Sequence, residues 1–259
     1  MSEKPIMSYV KNLAKQAMPR SVRSWLRSHY DQYQKRRSAP RKINFGDLRR
    51  LTPISEKFSV ERGAPLDRYY IEKFLTSNEK YIQGRVLEIG DNNSTRKHGG
   101  ARVSKSDVLH VEAGNPEATI VADITKADDI PSNTFDCIIL THTLQMIYDQ
   151  RSAINHLYRI LKPGGVLLVS THGMSKIGRR KERDPWCVYW RMTVDSAEKL
   201  FGEFFPSRLV NVQGYGNVLA ATAFLYGLAA EELDKKELDY YDPDYQVLVT
   251  IQAIKPDPE

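Results

Sequence analysis

Five apolar runs alternate with helix-like segments between residues 84 and 172, and each run ends in polar or acidic residues. The runs are "GRVLEIG" (84–90), "DVLHVEA" (107–113), "TIVADI" (119–124), "FDCIILTHT" (135–143) and "GVLLVSTH" (165–172). Strands this continuously apolar are buried on both faces, which is the mark of a parallel sheet covered by helices. The segment "QRSAINHLYRILK" (150–162) predicts a helix between the last two, closed by Pro163 and Gly164. Downstream, "TVDSAEKLFGEFF" (193–205) and "NVLAATAFLYGLAAEEL" (217–233) read as helices, the second one long and unbroken. "SRLVNVQGYG" (207–216) and "YQVLVTIQAIK" (245–255) read as two more strands. Upstream, "PLDRYYIEKFLTSNEKYI" (65–82) reads as a helix with Tyr69, Ile71, Phe74 and Leu75 inward. The expected fold is α/β: a Rossmann-like sheet of seven strands, mostly parallel, with the last antiparallel and helices on both faces.

Residues 1–42 follow a different pattern and read as a basic amphipathic helical arm ahead of a domain at 43–259. In "PIMSYVKNLAKQAM", Ile6, Tyr9, Val10, Leu13 and Ala17 recur at helical spacing. A second stretch carries Val22, Trp25, Leu26, Tyr30 and Tyr33 among Arg23, Arg27, Lys35, Arg36 and Arg37, and "RRSAPRK" reads as a linker. The first 50 residues hold 13 Lys and Arg against 3 Asp and Glu, while the rest hold 25 against 29. The net charge of +6 therefore belongs to the arm, which argues against nucleic acid as a partner of the core. The arm suits packing on its own domain or on a second subunit, or peripheral contact with a membrane surface. No apolar run is long enough to span a bilayer and no secretory-signal pattern is present, so a cytoplasmic chain is expected. Cys137 and Cys187 have no metal-ligand spacing, Cys137 reads as core, and no metal site is expected.

In an open parallel sheet, ligands bind outside the carboxyl ends of the strands. Here those ends offer Glu88 and Gly90, then Glu112, then Asp123 and Ile124, then Thr141, His142 and Thr143, then Thr171 and His172. A carboxylate at the second end can accept from two ribose hydroxyls at once. An Asp at the third can accept from an adenine amino group or can cap the next helix.

The ordered set resembles the class I S-adenosylmethionine-dependent methyltransferases, of the type 11-like group. The resemblance lies in "VLEIG" (86–90), "VLHVEA" (108–113), "VADI" (121–124), "FDCIILTHTLQMI" (135–147) and "LKPGGVLLVSTH" (161–172). It covers about 85–255 and is tight over 85–172. The lead-in "GDLRRLTPIS…RGAPLDRYYIEKFL" is similar to methyltransferases associated with polysaccharide and glycoconjugate synthesis.

The resemblance implies S-adenosylmethionine as cofactor. Glu88, Gly90, Asp91 and Asn92 would border its methionine end, Glu112 with Ala113 would hold the ribose, and Asp123 with Ile124 would frame the adenine. Thr141 would lie near the sulfonium, and Tyr69 and Tyr70 would cover the methionine moiety. The family pattern E-x-G-x-G-x-G reads E-I-G-D-N-N-S here. Asn tolerates left-handed backbone and Ser can cap a helix, so Asn92 and Ser94 can stand in for the missing glycines.

A sugar-hydroxyl acceptor must lose a proton as it attacks. His172 and His142, at adjacent strand ends, are the candidate bases, with His98 third. The segment "GRRKERDPWCVYWRMT" (178–193) falls where a substrate lid is inserted in this fold, so lid or substrate insertions are expected at about 173–192 and 217–240. Its Trp186, Tyr189, Trp190 and Arg191 suit stacking on a sugar ring. The reading is O-methylation of a carbohydrate or glycoconjugate. An RNA methyltransferase and a non-catalytic cofactor-binding scaffold are the alternatives.

Overall fold

A computed structural model describes residues 19–37, 44–178 and 187–258. The chain forms two units, Met1–Arg50 and Leu51–Glu259. The first contains α1 (Arg20–Arg37), on which Val22, Trp25 and Tyr30 are exposed. It runs eight residues past the expected boundary at 42, since Asn44 to Asp47 are exposed and add nothing to a core. The helix expected over 5–18 lies outside the described residues, and of the linker expected over 36–42, Arg36 and Arg37 are the end of α1 while 38–42 lie outside them. No helix among the described residues is long and apolar enough to cross a membrane.

In the second unit, seven strands form one sheet in the order β3-β2-β1-β4-β5-β7-β6. They are β1 (Gly84–Ile89), β2 (Val103–His110), β3 (Ile120–Val121), β4 (Phe135–Thr141), β5 (Leu161–His172), β6 (Val210–Tyr215) and β7 (Leu248–Ile254). The pairs among β1 to β5 are parallel, and β7 runs antiparallel to both β5 and β6, as expected. The chain winds one way from β1 to β3 and the other way from β4 to β5, which puts a switch point between β1 and β4.

Successive side chains of each central strand enter opposite layers. Leu87, Ile138, Leu140, Leu167 and Val169 pack against α3 (Gln150–Ile160) and α4 (Val194–Phe201). Val86, Cys137, Ile139, Val166 and Leu168 pack against α2 (Leu66–Ser77) and α5 (Val218–Tyr226). Burying a side chain of this class contributes about 1.5–3 kcal/mol, so the doubly covered sheet is the main source of stability. On α2 it is Tyr70 that is buried, while Tyr69 sits at the edge.

The strand bounds differ from expectation where backbone geometry, not hydropathy, sets them. β5 begins at Leu161, because Gly164 (φ +71°) lets the chain bulge through "PGG" and still pair with β4 on both sides. The long helix expected over 217–233 ends at Tyr226. Gly227 takes the left-handed conformation (φ +74°) there, and Leu228 N donates to Ala223 O, closing the helix end. The chain then forms α6 (Lys235–Asp239). Within 217–240, Ala220, Phe224, Ala230 and Leu238 are buried in the core, while Val218, Leu219 and Leu225 are exposed.

Candidate active site

A cavity of about 610 Å³ opens at the carboxyl ends of β1 to β4. Its size is that of a small-molecule site, and it lies at the switch point. β1 contributes Ile89 and Gly90, and β2 and its exit contribute Leu109, His110, Val111 and Glu112. Beyond β3 come Ala122 to Lys126, and beyond β4 come Thr143, Met146, Ile147 and Tyr148. Cys187 and Tyr189 close one side. The wall is mostly apolar, with acidic residues at Glu112, Asp123 and Asp149.

Gly90 has φ +93°, and no atom lies within 4 Å of where a Cβ would stand. Glycine is needed there for the backbone turn and leaves open space toward a ligand. Its N–H donates to Leu109 O at 3.0 Å, and Asn115 Nδ2 donates to its carbonyl at 2.7 Å. Between 86 and 100, only Gly90 and Gly100 have positive φ. Asn92 therefore is not a left-handed substitute for glycine. Its amide donates to Ser106 Oγ at 3.2 Å and braces the loop on β2. Ser94 does not cap the helical turn that follows (Thr95–Gly99). Glu88 does so: its carboxylate accepts from Ser94 N (3.2 Å), Thr95 N (2.8 Å) and Thr95 Oγ1 (2.7 Å). Burial pushes the Glu88 carboxyl up, and those donors only partly offset it.

Glu112 lies two residues past β2, with its backbone tied to His110 Nδ1. Its carboxylate has no hydrogen bond or ion pair among the described residues, so it stands available at the cavity wall. Asp123 Oδ1 accepts from Thr125 N (2.9 Å) and Thr125 Oγ1 (2.8 Å), so it caps the turn Ile124–Lys126 while lining the cavity.

Of the residues that the resemblance assigns to the cofactor, Gly90, Glu112, Asp123 and Ile124 line this cavity. Glu88, Asp91, Asn92, Ala113, Thr141, Tyr69 and Tyr70 do not. Asp91 is turned to Asn93 N at 2.9 Å. Tyr70 stacks on Tyr215 and donates to Leu238 O at 3.0 Å, and Tyr69 donates to Asp239 at 2.9 Å, so both face away from the cofactor loop. Thr143, two residues past Thr141, takes the cavity position, because His142 reverses the chain at the strand end with φ +50°.

His142 and His172 are brought together by a residue with no signal in the sequence. Asp67, in the first turn of α2, is buried, and its Oδ2 lies 3.0 Å from Nε2 of each histidine. The two rings stack with centroids 4.0 Å apart. His172 donates to Asp67 Oδ2, and its Nδ1 sits 3.4 Å from the Gln145 amide nitrogen. His142 Nε2 is equally close to Asp67, but off the direction of a hydrogen bond, so neither of its ring nitrogens is satisfied. Burial and the neighbouring His142 pull His172 down to about 4 against the opposing Asp67 carboxylate, which leaves it neutral near pH 7. Burial pushes the Asp67 carboxyl up, but the two imidazoles outweigh this and hold it below the usual range. His172 thus has a neighbour at both ring nitrogens, whereas His142 has no hydrogen bond at either. His98 is buried against Glu72 (3.1 Å) and lies apart from the cavity. The absence of ligand spacing gave no hint of this cluster, whose members are far apart in the chain.

At the cavity mouth Tyr148 meets Tyr189 edge-on (5.4 Å) and lies 5.7 Å from Trp190, whose indole N–H donates to the Tyr148 carbonyl at 3.2 Å. Tyr148 was not expected. Arg191 is turned to the carbonyls of Lys176 and Trp190 and does not line the large cavity. Trp186 lies outside the described residues.

Residues 93–169 match the family model described as a methyltransferase domain. The match begins just past the glycine-poor turn. The chain is 38% identical over 86 residues to the ubiquinone/menaquinone biosynthesis C-methyltransferase UbiE of Enterobacter sp. (strain 638), covering 33% of this chain and 32% of that one. The UbiE of Escherichia coli O1:K1 is 37% identical over the same length. The chain thus aligns with about a third of the length of these curated relatives. Among solved structures, the [4+2]-cyclase SpnF superposes with a TM-score of 0.50 at 15% identity, covering 76% of this chain and 85% of that one. That likeness is one of fold.

Proposed function

We infer that the chain is an S-adenosylmethionine-dependent methyltransferase that binds its cofactor in the 610 Å³ cavity. The observation that carries this is the placement of Gly90, Glu112 and Asp123 around one cavity at the switch point, within and beside a methyltransferase-domain match. The donor set fits: Glu112 offers an uncommitted carboxylate for a pair of hydroxyls, and Asp123 lies beside the apolar Ile124. Ala122, Ile124, Met146 and Ile147 supply the apolar walls that a flat base needs.

When bound, the cofactor supplies a methyl group made electrophilic by its sulfonium. The protein aligns the acceptor and excludes water, which can lower the barrier by several kcal/mol. Tyr148 and Tyr189 on the cavity wall, with Trp190 beside Tyr148, offer aromatic surface to an acceptor at the mouth. A hydroxyl acceptor must be relieved of its proton, and the Asp67–His142–His172 cluster, at neighbouring strand ends but outside the cavity lining, is the candidate for that task.

O-methylation of a sugar hydroxyl is the reading that the aromatic platform and the histidine cluster support together. The UbiE relatives favour a second one, transfer to carbon of a quinol-like ring. Their alignment reaches only a third of each chain, so it speaks to part of the machinery. Calorimetry with S-adenosylmethionine tests the shared premise; no heat with a folded sample at millimolar cofactor overturns it. Methyl-labelled cofactor, offered with glycan, quinone-precursor and RNA fractions, separates the acceptors. Label in the glycan fraction supports the first reading, and label only in quinone precursors or only in RNA replaces it.

A further inference from the structure

We propose that Asp67, His142 and His172 form a binding site for a divalent transition-metal ion. Two imidazoles and a carboxylate are the donor set that suits zinc, iron, cobalt or manganese. Their ligand atoms all lie within 4.8 Å of one another, and Asp67 Oδ2 is 3.0 Å from both Nε2 atoms. Donors about 2.0–2.2 Å from one ion stand about 3 Å apart at right angles and about 3.4 Å apart in a tetrahedron.

The cluster is unsatisfied without an ion. Asp67 Oδ1 and both ring nitrogens of His142 are buried and have no hydrogen-bond partner. Leaving such groups unpaired is costly, and of these atoms His142 Nε2 alone faces a charge, the Asp67 carboxylate at 3.0 Å. His142 also holds a left-handed backbone (φ +50°), a conformation that a non-glycine residue keeps only under constraint. The three donors come from the start of α2 and the ends of β4 and β5, so rigid elements set their spacing.

An outer layer is in place as well. His172 Nδ1 faces the side-chain amide of buried Gln145, whose Oε1 accepts from Thr171 Oγ1. With that amide turned over, Oε1 accepts from Nδ1–H and fixes the tautomer that presents the Nε2 lone pair to an ion. The two rings lie 24° from parallel with their centroids 4.0 Å apart. The two histidine side chains are 17% and 12% exposed, so the cluster lies near the surface, and an ion held by three protein donors would have positions open to an oxygen ligand. Use of such a position on an acceptor hydroxyl rests on the methyltransferase reading; the site itself does not.

The test is titration of the metal-stripped, tag-free full chain with cobalt chloride, read by visible absorption and calorimetry. One equivalent with ligand-field bands is expected, at least tenfold weaker in His142→Ala, His172→Ala and Asp67→Asn. Gln145→Leu should weaken binding about 10- to 100-fold. Circular dichroism melts identify variants that stay folded, and His142→Ala decides if Asp67→Asn does not. No stoichiometric band in the wild-type chain, or a band unchanged in His142→Ala, overturns the site and leaves a hydrogen-bonded Asp–His pair. S-adenosylmethionine binding, measured separately, distinguishes that failure from failure of the methyltransferase reading.

Discussion

The carboxylate of Glu88 accepts from both the N–H and the hydroxyl of Thr95, at 2.8 and 2.7 Å. This pair, not a run of glycines, shapes the loop after β1. A buried carboxylate that receives backbone N–H groups replaces the tight glycine turn by capping the helical turn from below. Glu88→Ala leaves those donors without partners, and the expected loss is about 2–3 kcal/mol of stability. Urea unfolding measures it. Cofactor affinity should fall with it, because Gly90 is carried by the same loop. A change below about 0.5 kcal/mol would mean that the loop holds its shape without the cap.

Glu112 should behave in the opposite way. It is exposed at the cavity wall and holds no other group among the described residues. Glu112→Ala should leave the melting temperature within about a degree and weaken S-adenosylmethionine binding about 10- to 100-fold, the value of hydrogen bonds to a charged group. Calorimetry on both forms checks this, and equal affinities would place the ribose elsewhere.

These two glutamates mark what the sequence could carry. Glu112 was legible as a cavity-lining residue because a strand end in a parallel sheet is a fixed address, and the same holds for Gly90, Asp123 and Ile124. Glu88 shares that address, but its role depended on what lies opposite, and only the fold puts Thr95 there. The sheet was legible from the apolar runs, and so was the antiparallel β7. The break at Gly227 was not, since an apolar helix and an apolar helix with a left-handed stop look alike in hydropathy. Asp67 was hidden for another reason. It lies 75 residues before His142 and 105 before His172, so no local spacing announces the contact.

Gly90 should tolerate no side chain without loss of binding. At φ +93° an alanine is strained by about 1 kcal/mol, although no neighbouring atom would clash. The open space it would enter belongs to the cavity. Gly90→Ala should therefore cost a little stability and a larger share of cofactor affinity. Unfolding curves and calorimetry separate the two, and unchanged affinity would show that the cofactor keeps clear of this turn.

Asp136 predicts a pH dependence. It accepts from Arg85 N at 2.8 Å, and Lys162 Nζ lies 2.9 and 2.8 Å from its two oxygens. Burial pushes its carboxyl up, but Lys162 and the Arg85 N–H outweigh this and hold it below the usual carboxylate range. A lowered folded value means stabilisation that is present above the unfolded value, near pH 4, and lost as pH falls through the folded one. The side chain is about a third exposed, so solvent screening limits the effect to about 0.5–1 kcal/mol. The gap in stability between wild type and Asp136→Asn should stay level from pH 7 to 5 and shrink below about pH 4. A gap that widens on acidification would assign the opposite sign.

The aromatic platform makes the last prediction, and it separates acceptor from cofactor. Tyr148 is 71% exposed, touches Tyr189 and Trp190, and lines the mouth of the cavity. An exposed tyrosine held between two other rings contributes little to folding, so its removal should leave stability within about 0.5 kcal/mol. If the platform stacks on a flat acceptor, Tyr148→Ala removes about 0.5–1.5 kcal/mol of that contact. The expected result is a rise in the acceptor KM of about 2- to 12-fold, with S-adenosylmethionine binding unchanged. Trp190→Ala should act in the same direction and with added loss of stability, since its indole also anchors the Tyr148 carbonyl. Steady-state methyl transfer on the glycan fraction, with cofactor saturating, reads the KM. A fall in cofactor affinity with the acceptor KM unmoved would put these rings over the cofactor.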